Sequence, residues 1–157
     1  MITIRELQSG DDVNAVLRLC RYFFEEYTEH HEEFFDLDNL SDDDISGRFL
    51  ESLESENSAT IVALDDGNIV GYTSLVIREQ PRFYKIKKVG AISALMVAKD
   101  HRRRGIGGAL LTEAGDFFRR KGITYYTFYT AVANQGAIRL YEKLGIKPIH
   151  TAFLGKT

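Results

Sequence analysis

Residues 94 to 111 run Ala-Leu-Met-Val-Ala-Lys-Asp-His-Arg-Arg-Arg-Gly-Ile-Gly-Gly-Ala-Leu-Leu, an apolar strand-like stretch followed by a basic turn and an apolar helix. A strand that feeds directly into a helix through such a turn aims the unpaired N–H groups of the helix start at one spot, where an anion belongs. Gly105, Gly107 and Gly108 remove the Cβ atoms that would hold a diphosphate away from those amides. Arg102, Arg103 and Arg104 surround the spot with positive charge, and Ile106 sits between the glycines. A Walker loop is excluded, because no Lys followed by Ser or Thr comes after the second glycine. A dinucleotide fingerprint is excluded too, since Leu110 stands where it needs Gly or Ala. Taken alone, the turn specifies an anion at a helix start.

A second stretch carries polar groups on a helical repeat: Asn134-Gln135-Gly136-Ala137-Ile138-Arg139-Leu140-Tyr141-Glu142-Lys143-Leu144-Gly145. Asn134 and Tyr141 are two turns apart on one side of a helix, with Ala137, Leu140 and Leu144 forming an apolar stripe beside Tyr141. From spacing, Tyr141 is equally a core aromatic and a proton donor, and Asn134 is a helix cap.

Together the two stretches resemble the GNAT N-acetyltransferase family. Arg102-Arg103-Arg104-Gly105-Ile106-Gly107 matches the family's Gln/Arg-x-x-Gly-x-Gly/Ala signature, and Leu140-Tyr141-Glu142-Lys143-Leu144-Gly145-Ile146 is similar to its second CoA motif. The resemblance is close over about residues 60 to 150. It implies an α/β (α+β) domain with a mixed sheet flanked by helices, and acetyl-CoA as co-substrate without a metal. The pantetheine arm is then expected between the central strand and the next one, along Leu95, Met96 and Val97. The Val97 amide is expected to stabilise the oxyanion, Tyr141 to act as general acid, and Asn134 and residues 102 to 108 to bind the cofactor. The alternative is an acyl-CoA sensor that binds without turnover.

Many members of that family carry a carboxylate on the central strand, but Gly90-Ala91-Ile92-Ser93-Ala94-Leu95 has none, and Ser93 is its only polar side chain. A base is therefore sought in Glu29-His30-His31-Glu32-Glu33, in Glu79, or in solvent. The adjacent histidines point to different sides of any regular element, and no further ligand at i, i+4 spacing accompanies them, so no metal site is expected. Cys20 is the single cysteine and shares a helical face with Val16, Leu17, Phe23 and Phe24, so it reads as a buried thiol.

The 157 residues are 44% hydrophobic, enough for one domain with a real core. Within it, residues 1–58 are read as the acceptor side and 59–157 as the acetyl-CoA-binding portion. A net charge of −3 argues against nucleic acid as a partner. The start lacks the pattern of a secretory signal and no run is long enough to span a membrane, so a cytoplasmic location is expected. Charge is unevenly placed: Glu25 to Glu56 holds thirteen acidic residues against Arg48, while Arg78 to Arg104 holds nine basic against Glu79 and Asp100. An acidic acceptor mouth would favour a cationic amine, either a small molecule or a protein amine. Phe34, Phe35 and Tyr27 could add aromatic contacts there. Pairing of two chains into a homodimer through a terminal strand is left open.

The elements that must position these groups follow from periodicity. Ile2 and Ile4 alternate as a first strand, and Val13 to Tyr27 repeats as an amphipathic helix behind Ser9-Gly10-Asp11-Asp12. A second helix starts at the N-cap Ser41. Thr60 to Leu64 and Ile69 to Ile77 form a hairpin around Asp66-Gly67. Val89 to Ala98 is a strand buried on both faces, followed by a helix over Gly105 to Arg120, a strand over Ile123 to Thr130, a helix over Asn134 to Leu144 and a last strand over Ile146 to Leu154. The expected order is β-α-α-β-β-β-α-β-α-β.

Overall fold

The computed structural model describes residues 1–30 and 39–157, and for His30 the backbone alone. The elements are β1 (Ile2–Glu6), α1 (Val13–His30), α2 (Asp42–Ser52), β2 (Ser58–Asp65), β3 (Asn68–Glu79), β4 (Lys88–Val97), α3 (Ile106–Arg120), β5 (Tyr126–Phe128) and α4 (Gln135–Lys143). The sheet runs β1-β2-β3-β4-β5, antiparallel except for the parallel pair β4–β5.

Local chemistry explains the boundaries. Ser41 caps α2 through a reciprocal box with Asp44, each satisfying the other's backbone amide. The β2–β3 hairpin turns on two residues, Asp66 and Gly67, with φ of 48° and 86°, the left-handed pair whose twist matches the strands.

The sheet is sandwiched. On one face Val16, Leu19 and Cys20 of α1 and Ile45 and Phe49 of α2 pack on Val62, Leu64, Tyr72 and Met96. On the other face Leu110, Leu111, Ala114, Phe117 and Phe118 of α3 pack on Ile61, Val70, Leu75 and Ile92. Cys20 is 6% exposed, and burial raises its thiol pKa.

The order agrees with the sequence except at the end. Ile146 to Leu154 forms no strand, and Ile149, Phe153 and Leu154 are exposed. It is rich in apolar residues, but a strand needs a paired edge, and this segment pairs with none of the described strands. Pro148 removes one of its donors as well. β5 is also shorter than its β-branched and aromatic run suggests, with a consequence for the site.

Candidate active site

β4 carries a bulge. Its pairing with β3 passes from Ile92↔Leu75 to Ala94↔Ser74 and leaves Ser93 over. Before the bulge the Gly90 amide donates to the Tyr125 carbonyl, toward β5. After it the Ala98 amide donates to the Val70 carbonyl of β3 at 2.9 Å. Counting back from Ala98, Met96 and Ala94 turn their backbone groups to β3, while Leu95 and Val97 turn theirs to the other side. Thr73, fully buried, donates from Oγ1 to the Ala94 carbonyl at 2.8 Å and fixes the strand just past the bulge. Ser93 is exposed and donates to the Ser74 carbonyl at 3.3 Å.

On that other side β5 has ended. The β4–β5 pairing covers Gly90↔Tyr126, Ala91↔Thr127 and Ile92↔Phe128, and β4 continues to Val97 without it. A wedge-shaped opening results, edged by the Leu95 backbone groups and the Val97 amide. The Met96 amide, expected from the sequence to face this opening, is directed at β3 by the register.

The turn after β4 lies at the same end. A short 3-10 turn, Lys99–His101, is followed by Arg103 at φ 64° and Gly105 at φ 81°. Two left-handed residues so close bend successive amides inward, as in an anion-binding nest. Helical bonding in α3 begins with the Ala109 amide donating to the Gly105 carbonyl at 3.1 Å, and no side chain caps the helix. The amides of Gly105, Ile106, Gly107 and Gly108 are thus left as donors. A Cβ on Gly107 would come within 3.3 Å of Leu140, so this glycine also lets α4 approach.

The three arginines, alike in sequence, differ in structure. Arg102 turns inward: Nε donates to the Val97 carbonyl at 2.9 Å, and Nη2 to Glu26 Oε1 at 2.8 Å and to the Met96 sulfur at 3.6 Å. Arg104 pairs with Asp65 at 3.2 Å, and Asp65 also receives His101 Nε2 at 3.5 Å and the N-terminal amine at 3.2 Å. The N-terminal amine first, and then Arg104, hold the Asp65 carboxyl below its ordinary pKa. Arg103 is exposed.

α4 presents Tyr141 to the opening. Asn134 caps it, its Oδ1 accepting the Ala137 amide at 3.2 Å. The Tyr141 ring meets Phe128, the last residue of β5, edge to face at 4.3 Å between centroids. Leu95, Val97, Phe128, Leu140 and Tyr141 border one core cluster. Burial pushes the Tyr141 phenol up to about 12, and Tyr27 of α1 adds to the rise. Tyr27 stacks on Phe23 at 5.2 Å, so an aromatic pair of α1 lies near Tyr141.

Of the candidate bases, Glu79 is at the wrong end. It pairs with Lys88, nine residues from Val97 along β4, roughly 30 Å at strand rise. Glu29 is exposed on the last turn of α1. The side chain of His30, and all of His31, Glu32, Glu33, Phe34 and Phe35, lie outside the described residues. Among the described residues, no three His, Cys, Asp or Glu side chains converge as a metal site, and no helix is long and apolar enough to cross a membrane. A separate groove of about 510 Å³ lies along α3 and β5, bordered by Leu144 and Ile146, and includes none of the turn residues.

Glu26 was not singled out by sequence reasoning, being one acid among thirteen. The available signal was its place between Phe23 and Tyr27, at the margin of the apolar stripe of α1.

Comparison with known proteins points one way. The family model described as Acetyltransferase (GNAT) family matches residues 17–146. YhfO of Bacillus subtilis, an uncharacterized N-acetyltransferase, is 30% identical over 125 residues, 78% of this chain and 77% of that protein. An N-alpha-acetyltransferase of Sulfurisphaera tokodaii is 32% identical over 108 residues, 64% of each chain. Among solved structures, the tetramutant of the BH1408 protein from Bacillus halodurans superposes with a TM-score of 0.83 at 21% identity, covering 99% of both chains. Aminoglycoside N-acetyltransferase AAC(6')-Iy in complex with CoA superposes with a TM-score of 0.80 at 16% identity, over 100% of this chain and 95% of that one. At such identities the two structures speak to fold.

Proposed function

The chain belongs to the GNAT acetyltransferase family and is an acetyl-CoA-dependent N-acetyltransferase, and from that premise we propose that it acetylates a cationic primary amine by direct attack on the thioester at the β4–β5 opening. The observation that carries this reading is the end of β4–β5 pairing at Ile92↔Phe128. It leaves the Leu95 backbone groups and the Val97 amide free to bond a pantetheine arm beside a turn whose amides suit its diphosphate.

In this reading residues 103 to 108 hold the diphosphate and Asn134 borders the arm. The neutral amine attacks the thioester carbon, and the oxyanion that forms takes a hydrogen bond from the Val97 amide. As the tetrahedral intermediate collapses, the carbon–sulfur bond breaks and Tyr141 supplies a proton to the departing thiolate, to be reprotonated from solvent. The proton lost by the amine goes to water, since the described residues supply no carboxylate on β4. Cys20, buried in the α1 layer, takes no part as an acyl carrier.

The cationic acceptor is supported by the exposed acids of α1 and α2, among them Glu25, Glu29, Asp42, Asp43 and Glu51. The relatives named for aminoglycoside and N-alpha acetylation use amine acceptors, which supports the same class.

A thiol-release assay with acetyl-CoA across polyamines, amino sugars, lysine and peptide N-termini tests the proposal. The Tyr141→Phe protein should retain acetyl-CoA binding and lose about a hundredfold in kcat. An unchanged kcat would remove Tyr141 from the acid role.

A further inference from the structure

Building on the reading of β4 as the donor strand, we propose that Glu26 and Arg102 form a clamp that positions the oxyanion-binding end of β4, and that Arg102 is a positioning residue, not a diphosphate ligand. Beyond Phe128, β4 has a neighbour on one side only, so its last residues need another hold. Arg102 supplies it from the turn, with Nε on the Val97 carbonyl at 2.9 Å and Nη2 on Glu26 Oε1 at 2.8 Å. Its planar fork ties the strand end to α1 in one geometry, which a flexible ammonium would not do. The two side chains are 36% and 32% exposed, so the pair is partly shielded from water. Lys99 Nζ, 4.0 Å from the same Glu26 oxygen, closes the cluster.

The Arg102 backbone is committed as well, its amide donating to the Lys99 carbonyl at 3.4 Å. Glu26 neutralises Arg102 and Asp65 neutralises Arg104, so Arg103 is the cation of the turn available to a phosphate. Because Glu26 belongs to the acceptor-side helix, the clamp also ties acceptor side to oxyanion site, and a shift of well under 1 Å at Val97 is enough to slow transfer.

The test compares acetyl-CoA with S-acetylpantetheine, which keeps the thioester and arm but lacks the diphosphate. Glu26→Gln and Arg102→Gln should each lower kcat about tenfold with either donor and leave the KM for acetyl-CoA within about twofold. The double substitution should be no worse than Arg102→Gln, because both break one clamp. Glu26→Asp should recover part of the loss. If Arg102→Gln instead raises the KM for acetyl-CoA and spares S-acetylpantetheine, Arg102 is a diphosphate ligand and the clamp is wrong. An unaltered kcat in Glu26→Gln also overturns it. Should the wild-type protein turn over neither donor with any amine, it is the acyl-transfer reading that fails. Amide hydrogen exchange then decides the clamp: faster exchange over residues 95 to 102 in Glu26→Gln, with β2 unchanged, supports it, and equal exchange sinks it.

Discussion

Tyr141 meets two opposing demands. Its ring is packed against Phe128, the last residue of β5, as a proton donor beside the opening must be, and the same burial lifts its pKa to about 12. A phenol so shifted is protonated at every physiological pH, although it gives up its proton less readily than an exposed one. The pH profile of kcat should therefore rise as the acceptor amine deprotonates and show no falling limb from Tyr141 up to about pH 10. Tyr141→Phe should keep that shape at lower height; a falling limb between pH 8 and about 9 that vanishes in the variant would keep Tyr141 as the acid and contradict its raised pKa. The same shift bears on stability. An unfolded tyrosine ionises near pH ~10, and the folded one resists to about 12. The stability Tyr141 contributes is fully present below the first value and is lost as pH rises toward the second. The raised pKa was not legible in the sequence, where the family motif marks Tyr141 as the expected acid; the chain brings Phe128 and Tyr27 to it only on folding.

At the scale of elements, the site depends on one bulge and one early strand end. Ser93 shifts the parity of β4, so that Leu95 and Val97 rather than Met96 turn their amides outward. The sequence identified the strand, the turn and the helix correctly, because each is encoded by its own residues: apolar run, glycines, apolar helical stripe. It could not place the bulge, which depends on the register against β3, nor the end of β5 at Phe128 within the longer run from Ile123 to Thr130. Of the glycines, Gly90 is the most closely approached, where β4 still pairs with β5. A Cβ there would lie 2.5 Å from the Phe118 ring. Gly90→Ala should lower stability by about 2 kcal/mol, measured by urea unfolding, as overpacking of a close-packed core does. Trimming the ring with Phe118→Leu in the Gly90→Ala background should recover part of the loss, and no recovery would place the strain elsewhere.

At the scale of the whole molecule, charge divides the chain into an acidic arm, α1 to α2, and a basic region from β3 through the turn. If the acidic arm attracts the acceptor, kcat/KM for a polyamine should fall steeply with added salt while that for a neutral amine barely changes. Equal salt dependence for both would remove the electrostatic role. The sequence by itself determined the fold class, the order of all elements but the last, and the place of the basic glycine turn between β4 and α3, because these rest on local periodicity, caps and glycines. Only the tertiary structure decided which arginine faces inward, which strand amides stay open, where Glu79 ends up, and that Ile146 to Leu154 stays unpaired. Each of these is settled between segments distant in sequence: Arg102 is bound by Glu26, 76 residues away, and the final segment shows that an apolar run becomes a strand only where an edge accepts its hydrogen bonds.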